Sequence, residues 1–377
     1  MKFLHIADLH LGRRMGDISL LEDQEYVLKQ IVEIAKDENV DGILIAGDVY
    51  QKASPNAEAM TLFNDFVTSV VELGIKVFVI SGNHDSDQRI SYFSSLIKNA
   101  GVYVSEKFEG TLQQITMTDE YGEVVINLLP FIRPANVRKC YPEKTIESYD
   151  DAIATVLNHS FIDKSKRNIL VAHQFITGAQ TCESEERVVG GVDNVDASLF
   201  DDFDYVALGH IHGAQKVGRD TMRYAGSPYM YSFSEINHKK SVTIVEVKEK
   251  GNVAIDIRPL KFIHQVRDVE GMLDEILNMP YSEDFVRVIV HDEITPPDSR
   301  ISVGTVFPNM MKYFIQNSRT IQEVDVIAKE SIDDKDVVSL FIDFFKLQNN
   351  DAEPTSDQLE VLNEVLKGLE EDKYEAD

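Results

Sequence analysis

The chain has 377 residues, with 37 Lys and Arg against 64 Asp and Glu, for a net charge of −27. That length exceeds one ordinary hydrophobic core and implies a large domain with one or two smaller pieces. A hydrophobic fraction of 43% with 27% charged residues excludes a wholly disordered or fibrous protein, and no apolar run approaches the ~18 residues of a membrane-spanning helix.

Five short apolar runs read as strands of a sheet covered on both faces: residues 2–7, 42–46, 76–80, 168–172 and 205–208. Between the first two, Leu28, Ile31, Val32 and Ala35 follow helical spacing, and Met60, Phe63, Val67, Val70 and Val71 do so after the second. Phe93, Leu96 and Ile97 place a further apolar helical stripe over residues 90–97. Such alternation predicts a layered α/β domain. From about Gly226 the pattern turns to β, with runs at 242–247 and 253–257 joined by Lys250-Gly251-Asn252 as a hairpin. A helical pattern over 267–277, a strand over 285–290 and a helical stretch around 310–316 predict a small α+β domain. Two apolar helical stripes follow: Val337, Leu340, Phe341, Phe344 and Phe345, then Leu359, Leu362, Val365, Leu366 and Leu369. Thr355 with Gln358 fits a capping box opening the second. The expected division is 1–263, 264–325 and 326–377.

Charge is unevenly spread. Residues 320–377 hold 17 Asp and Glu against 5 Lys, a net of −12, leaving −15 on the other 319 residues. An acidic tail is therefore separable from the body, and the overall charge argues only against non-specific adhesion to nucleic acid. Cys140 and Cys182, with no CxxC, point to neither a disulfide framework nor a cysteine zinc site. Asp8 interrupts the start too early for a secretory leader, and a reducing cytoplasm is the expected setting.

Chemistry gathers where the five strands end. They are followed by Asp8-Leu9-His10, Gly47-Asp48, Gly82-Asn83-His84-Asp85, His173 and Gly209-His210-Ile211-His212. Ligands of open α/β sheets sit beyond the carboxyl ends of strands, and residues two apart on extended backbone face the same side. Asp8, His10, Asp48, Asn83, His173, His210 and His212 make seven nitrogen and oxygen donors without sulfur. That exceeds a tetrahedral zinc set and suits two adjacent octahedral ions of the manganese or iron kind, with Asp48 the natural bridge. His84 remains, as a proton donor or a phosphate contact. His5 lies inside the first strand and reads as a core residue, with support of a ligand the alternative; His159, His238, His264 and His291 have no motif around them.

In order and spacing these motifs resemble the calcineurin-like metallophosphoesterases. Asp8-Leu9-His10-Leu11-Gly12, Ala172-His173-Gln174-Phe175 with Thr177-Gly178, and Tyr224-Ala225-Gly226-Ser227-Pro228 running into Tyr231-Ser232-Phe233-Ser234-Glu235 are closer to one nuclease branch of that family. The resemblance covers the body strongly to about Lys261 and implies a layered β-sandwich core flanked by helices, a small α+β cap and a C-terminal helical hairpin. It implies one ion held by Asp8, His10, Asp48 and His212 and another by Asp48, Asn83, His173 and His210, manganese first and magnesium as the alternative. His84 would help the leaving oxygen depart, with Asp85 orienting it. The sequence departs from some family nucleases, which carry a second histidine where Tyr50-Gln51-Lys52 stands.

The same resemblance implies a DNA nuclease subunit, a 3′–5′ exonuclease on duplexes and an endonuclease on single strands, serving DNA repair, recombination and replication. Its implied partners are DNA and a coiled-coil ATPase gripped by Leu340, Phe341, Phe344 and Phe345. A homodimer within a heterotetramer is expected, formed through helices over 57–73 and 90–97, with no membrane contact and with location in the cytoplasm, at the nucleoid during repair. A small-molecule phosphodiesterase, a protein phosphatase or an inactive scaffold are the other readings.

Overall fold

The computed structural model describes residues 1–185 and 194–317, with 338, 341, 342, 345, 346, 353–356, 358, 359, 361 and 362 beyond them. Two compact units divide the chain, Met1–Arg267 and Asp268–Asp377.

In the first unit, β1 (Lys2–Ile6), β2 (Gly42–Ala46), β3 (Lys76–Ile80) and β4 (Val102–Val104) run parallel, with Phe3 opposite Gly42 and Ile43 opposite Val77. Their connections are α1 (Leu21–Asp37), α2 (Ala57–Glu72), and α3 (Asp87–Ile90) with α4 (Ser94–Ile97). The helices form where the apolar spacing says they should, and α1 buries Val27, Leu28, Ile31 and Ala35. Helix α2 buries Ala59, Phe66 and Val70, so of the stripe read from the sequence only Val70 is buried, with Met60 exposed and Phe63, Val67 and Val71 half-buried. Asn56 caps α2 by accepting the Ala59 amide at 3.0 Å.

A second sheet is built from β5 (Gln113–Asp119), β6 (Gly122–Leu129), β7 (Arg167–His173), β8 (Tyr205–Gly209), β9 (Gln215–Val217) and β10 (Arg219–Tyr224), in the order β9-β10-β8-β7-β6-β5. Between β6 and β7 run α5 (Pro134–Cys140) and α6 (Tyr149–His159). The chain then returns to the first sheet as the hairpin β11 (Ser241–Val247) and β12 (Val253–Pro259), antiparallel beside β1, giving β12-β11-β1-β2-β3-β4.

Phe3, Leu44, Phe78 and Ile80 of the first sheet and Ile126, Ile169, Val171 and Tyr205 of the second share one buried cluster, so the two sheets pack face to face. The five predicted strands are thus divided three and two between sheets. The β5–β6 hairpin, whose Ile115 and Met117 alternate inward, escaped the sequence reading.

The second unit is a three-stranded sheet of β13 (Val266–Gly271), β14 (Phe285–Val290) and β15 (Met310–Ile315), with α7 (Leu273–Leu277) and α8 (Ser299–Val306). Val269, Ile276, Val286, Val288, Val303 and Phe307 form its core. Three expected helices are corrected here. Of the expected 310–316, Met310–Ile315 form a strand, because Tyr313 and Ile315 turn inward while Lys312 and Phe314 turn out, a period of two. Residues 267–277 begin as a strand and become helical only at Leu273, where Asp292 accepts the Leu273 amide at 2.6 Å. Residues 90–97 likewise form no continuous helix, since Phe93 adopts φ +66° between α3 and α4.

Thr355 and Gln358 make the expected reciprocal cap, the Thr355 amide donating to Gln358 Oε1 at 2.9 Å and the Gln358 amide to Thr355 Oγ1 at 3.4 Å. The Phe341 and Phe345 rings lie tilted at 40° to each other with centroids 6.0 Å apart. Val337, Leu340, Phe344, Val365, Leu366 and Leu369, and most of the expected 326–377 hairpin, lie outside the described residues. Among the described residues no helix is long and apolar enough to cross a membrane.

Phe78 is fully buried between the sheets, edge-on to Phe3 and stacked on Tyr103 at 5.2 Å. Phe78→Ala is expected to cost about 3–5 kcal/mol of stability, read as a lowered urea midpoint with an unchanged slope.

Candidate metal centre

Backbone brings the strand ends together. Beyond β1 and β2 the loops remain laced, the Asp8 amide donating to the Gly47 carbonyl at 3.0 Å and the His10 amide to that of Asp48 at 2.9 Å. Across the sandwich the His210 amide donates to Asp8 Oδ1 at 2.9 Å, and His173 Nδ1 lies 2.8 Å from the Ala46 carbonyl. Close approach of the sheets requires glycine at 209, where a Cβ would lie 1.9 Å from the Ala46 carbonyl oxygen. The turns are also strained: Asp8 (φ +54°), His10 (+43°), Asp48 (+50°) and His210 (+98°) all sit in the left-handed region. Such residues cost of order 1–3 kcal/mol each and persist only where surrounding structure imposes them.

Asp48 stands at the centre. Its Oδ2 lies 3.6 Å from His10 Nε2, 3.5 Å from His173 Nε2 and 3.9 Å from His84 Nε2, while Oδ1 accepts the His84 amide at 2.9 Å. On one side, His10 and His212 point Nε2 at each other across 3.1 Å. On the other, Asn83 Oδ1 lies 3.0 Å from both His173 Nε2 and His210 Nδ1. Donor atoms of Asp8, His10 and His212, of His10, Asp48 and His84, and of Asp8, Asp48 and His173 converge closely enough to hold an ion. All seven donors named from the sequence therefore meet in one pocket, in two groups around one carboxylate.

The donor set fits cations. Two donors bound side by side at about 2.1 Å stand roughly 3.0 Å apart at octahedral angles, the spacing found in both groups. Burial leaves His10 well below the usual imidazole range and His210 at about 3, so both are neutral donors. Burial would raise Asp48, but the charge of His173 and its contact, aided by His10 and His84, hold it well below the carboxylate range. Burial opposes protonation of His173, yet the Asp48 charge and contact push it up to about 9. Burial, with some help from Asp48, raises Asp8 to about 7 despite His173 and His212.

His84 stands at the rim, its Nδ1 3.2 Å from the carbonyl of Gln51, in the stretch where some family nucleases carry a second histidine. Asp85 accepts the Val49, Tyr50 and Gly82 amides at 3.0, 3.0 and 2.9 Å, tying the two loops together, so it acts on His84 through backbone. His5 is a core residue, 2.9 Å from the Tyr205 hydroxyl. His159, His264 and His291 sit against Thr155, Asp23 and Glu270.

Three residues have supporting roles that the sequence reading did not assign, although Tyr231 and Glu235 stand in a stretch it quoted. Gln24 of α1 donates to the Leu9 and His10 carbonyls at 3.1 and 2.9 Å and accepts the Gly12 amide at 3.1 Å, holding the strained His10 loop. Tyr231 donates to the Leu9 carbonyl. Glu235 lies behind His212, its Oε1 3.0 Å from Nδ1. A polar Gln on the buried side of an amphipathic helix was the only signal for Gln24.

A family model described as calcineurin-like phosphoesterase matches residues 1–214. The chain belongs to that family of metallophosphoesterases. Within it, the protein is similar over most of its length to the SbcD component of the SbcCD nuclease of Staphylococcus saprophyticus, at 31% identity over 351 residues, covering 90% of this chain and 92% of that one. The same component from Staphylococcus epidermidis is 32% identical over 319 residues, covering 82% of this chain and 84% of its own. Its place in the family is with these SbcD proteins.

Because His173 keeps its proton up to about pH 9 when no cation competes, a cation must displace that proton. Calorimetric Mn2+ titrations are expected to give net proton release, with apparent affinity climbing up to about tenfold per pH unit as pH rises towards that value and levelling above it.

Proposed function

We propose that this chain is a metal-dependent DNA nuclease that hydrolyses phosphodiester bonds at a dinuclear centre and works with an SbcC-type ATPase. The observation that carries the reading is the convergence of seven donors, six of them buried and Asn83 half-buried, on one pocket centred on Asp48. Asp8, His10, Asp48 and His212 would hold one ion, and Asp48, Asn83, His173 and His210 the other. Manganese is the first choice and magnesium the second. Bound there, divalent cations supply positive charge against the non-bridging phosphate oxygens and acidify a water for in-line attack.

The chain's own contribution beyond ligation falls to His84. As an imidazolium it donates Nδ1–H to the Gln51 carbonyl and presents Nε2–H to the leaving oxygen. After the Nε2 proton leaves, the ring keeps its Nδ1 proton, hydrogen-bonded to that carbonyl, which fixes the tautomer. A backbone acceptor does this whatever the side chain at position 51, so the missing second histidine leaves the step intact. The Gln51 side chain is engaged elsewhere, Oε1 accepting from Arg13 at 3.0 Å.

The relatives' names support DNA as substrate and an SbcC protein as partner. The proposed activity is 3′–5′ exonuclease on duplexes and endonuclease on single strands, in end and hairpin processing during repair and recombination. Exposed Tyr92, Phe93 and Leu96 beside α4 support the homodimer, and the capped, acidic C-terminal stretch with Phe341 and Phe345 is the proposed grip on the ATPase coiled coil.

Purified chain with Mn2+ is expected to cut linear DNA, and His84→Gln to lower kcat about 10²–10⁴-fold while Mn2+ uptake changes little. Turnover of a phosphatase substrate without DNA cleavage would make the protein a phosphatase. No cleavage even with the ATPase and ATP would make it a scaffold.

A further inference from the structure

Behind His212 lies an ion pair wholly inside the protein. The Glu235 and Lys240 side chains are 0% and 1% exposed. Glu235 Oε2 accepts from Lys240 Nζ at 2.5 Å and from Ser227 Oγ at 3.2 Å, leaving Oε1 for His212 Nδ1 at 3.0 Å. Lys240 also donates to the carbonyl of His212 itself at 3.1 Å and to Ser227 Oγ at 2.6 Å. Ring and backbone of one histidine are thus closed into a loop through two charges. The His212 amide is held as well, donating to Glu185 Oε1 at 2.9 Å.

A buried ion pair contributes little net stability, because desolvation offsets its attraction. Its effect here falls on the imidazole. An ionised Glu235 keeps the His212 proton on Nδ1 and turns the Nε2 lone pair towards His10, while the nearby negative charge strengthens that lone pair as a donor. The neighbouring histidines have weaker backing. His10 Nδ1 is buried without a hydrogen-bond partner, and His173 Nδ1 faces the neutral Ala46 carbonyl. The two halves of the pocket are therefore unequal.

We infer that Glu235, held by Lys240 and Ser227, is a positioning residue that makes the Asp8–His10–His212 half of the pocket the tighter of two cation sites. This rests on the dinuclear reading above. The test is a Mn2+ titration of the full-length chain, following free Mn2+ by electron paramagnetic resonance, with circular dichroism as the check on folding. Glu235→Gln is expected to weaken one of two Mn2+ equivalents about 10–100-fold and leave the other within about twofold, so that the two affinities draw together or cross. Equal weakening of both equivalents, or of neither, overturns the inference. Should Glu235→Gln fail to fold, the charge-neutral pair Glu235→Gln with Lys240→Met is read the same way. A wild-type chain taking up a single equivalent overturns the dinuclear reading instead, and if that equivalent still weakens in Glu235→Gln the positioning role stands.

Discussion

The pocket depends on one carboxylate with two sets of neighbours. Asp48 cannot move towards His10 without leaving His173, because its Oδ2 stands 3.6 and 3.5 Å from their ring nitrogens and its Oδ1 is tied to the His84 amide. Asp8 and Asp85 are buried close by, and burial pushes both up to about 7. Like charges collected in a low-dielectric interior need protons or cations to balance them. Cation binding is therefore coupled to the stability of the whole pocket.

That carboxylate is held in place by backbone. Four strained turn residues, the paired loops after β1 and β2, and the glycine that lets β8 approach Ala46 lie in three short stretches of chain, at residues 8–10, 47–48 and 209–210. Asp85 fastens the loop after β2 to the loop after β3 by accepting three amides. Rigid sheets packed face to face bear the strain, which is why a pocket built on loops can keep its donors at coordination spacing.

An acidic chain suits phosphodiester chemistry when bound cations supply the local field. Basic side chains near the pocket are already engaged. Arg13 pairs with Gln51 and lies over the Tyr231 ring, Arg89 donates to Ser54, and Arg133 lies over Phe131.

How much of this was legible in the sequence follows from range. Strands β1, β2, β3, β7 and β8 were visible as short apolar runs, α1 and α2 as apolar stripes, and the seven donors by type and by position at strand ends, since these are local properties of neighbouring residues. The strand at residues 310–315 was misread because Met-Met-Lys-Tyr-Phe-Ile carries apolar residues on both faces, and only pairing with Phe285–Val290 selects the period of two. Gln24, Tyr231 and Glu235 were invisible as supports because their partners lie 12 or more positions away, brought near by packing. The sequence by itself determined which side chains face beyond the strand ends and what charge they carry. Only the tertiary structure decided that strands of two sheets share one pocket, how its donors divide around Asp48, and which histidine has a carboxylate at its back. Those are distances between segments, and chain order does not specify them.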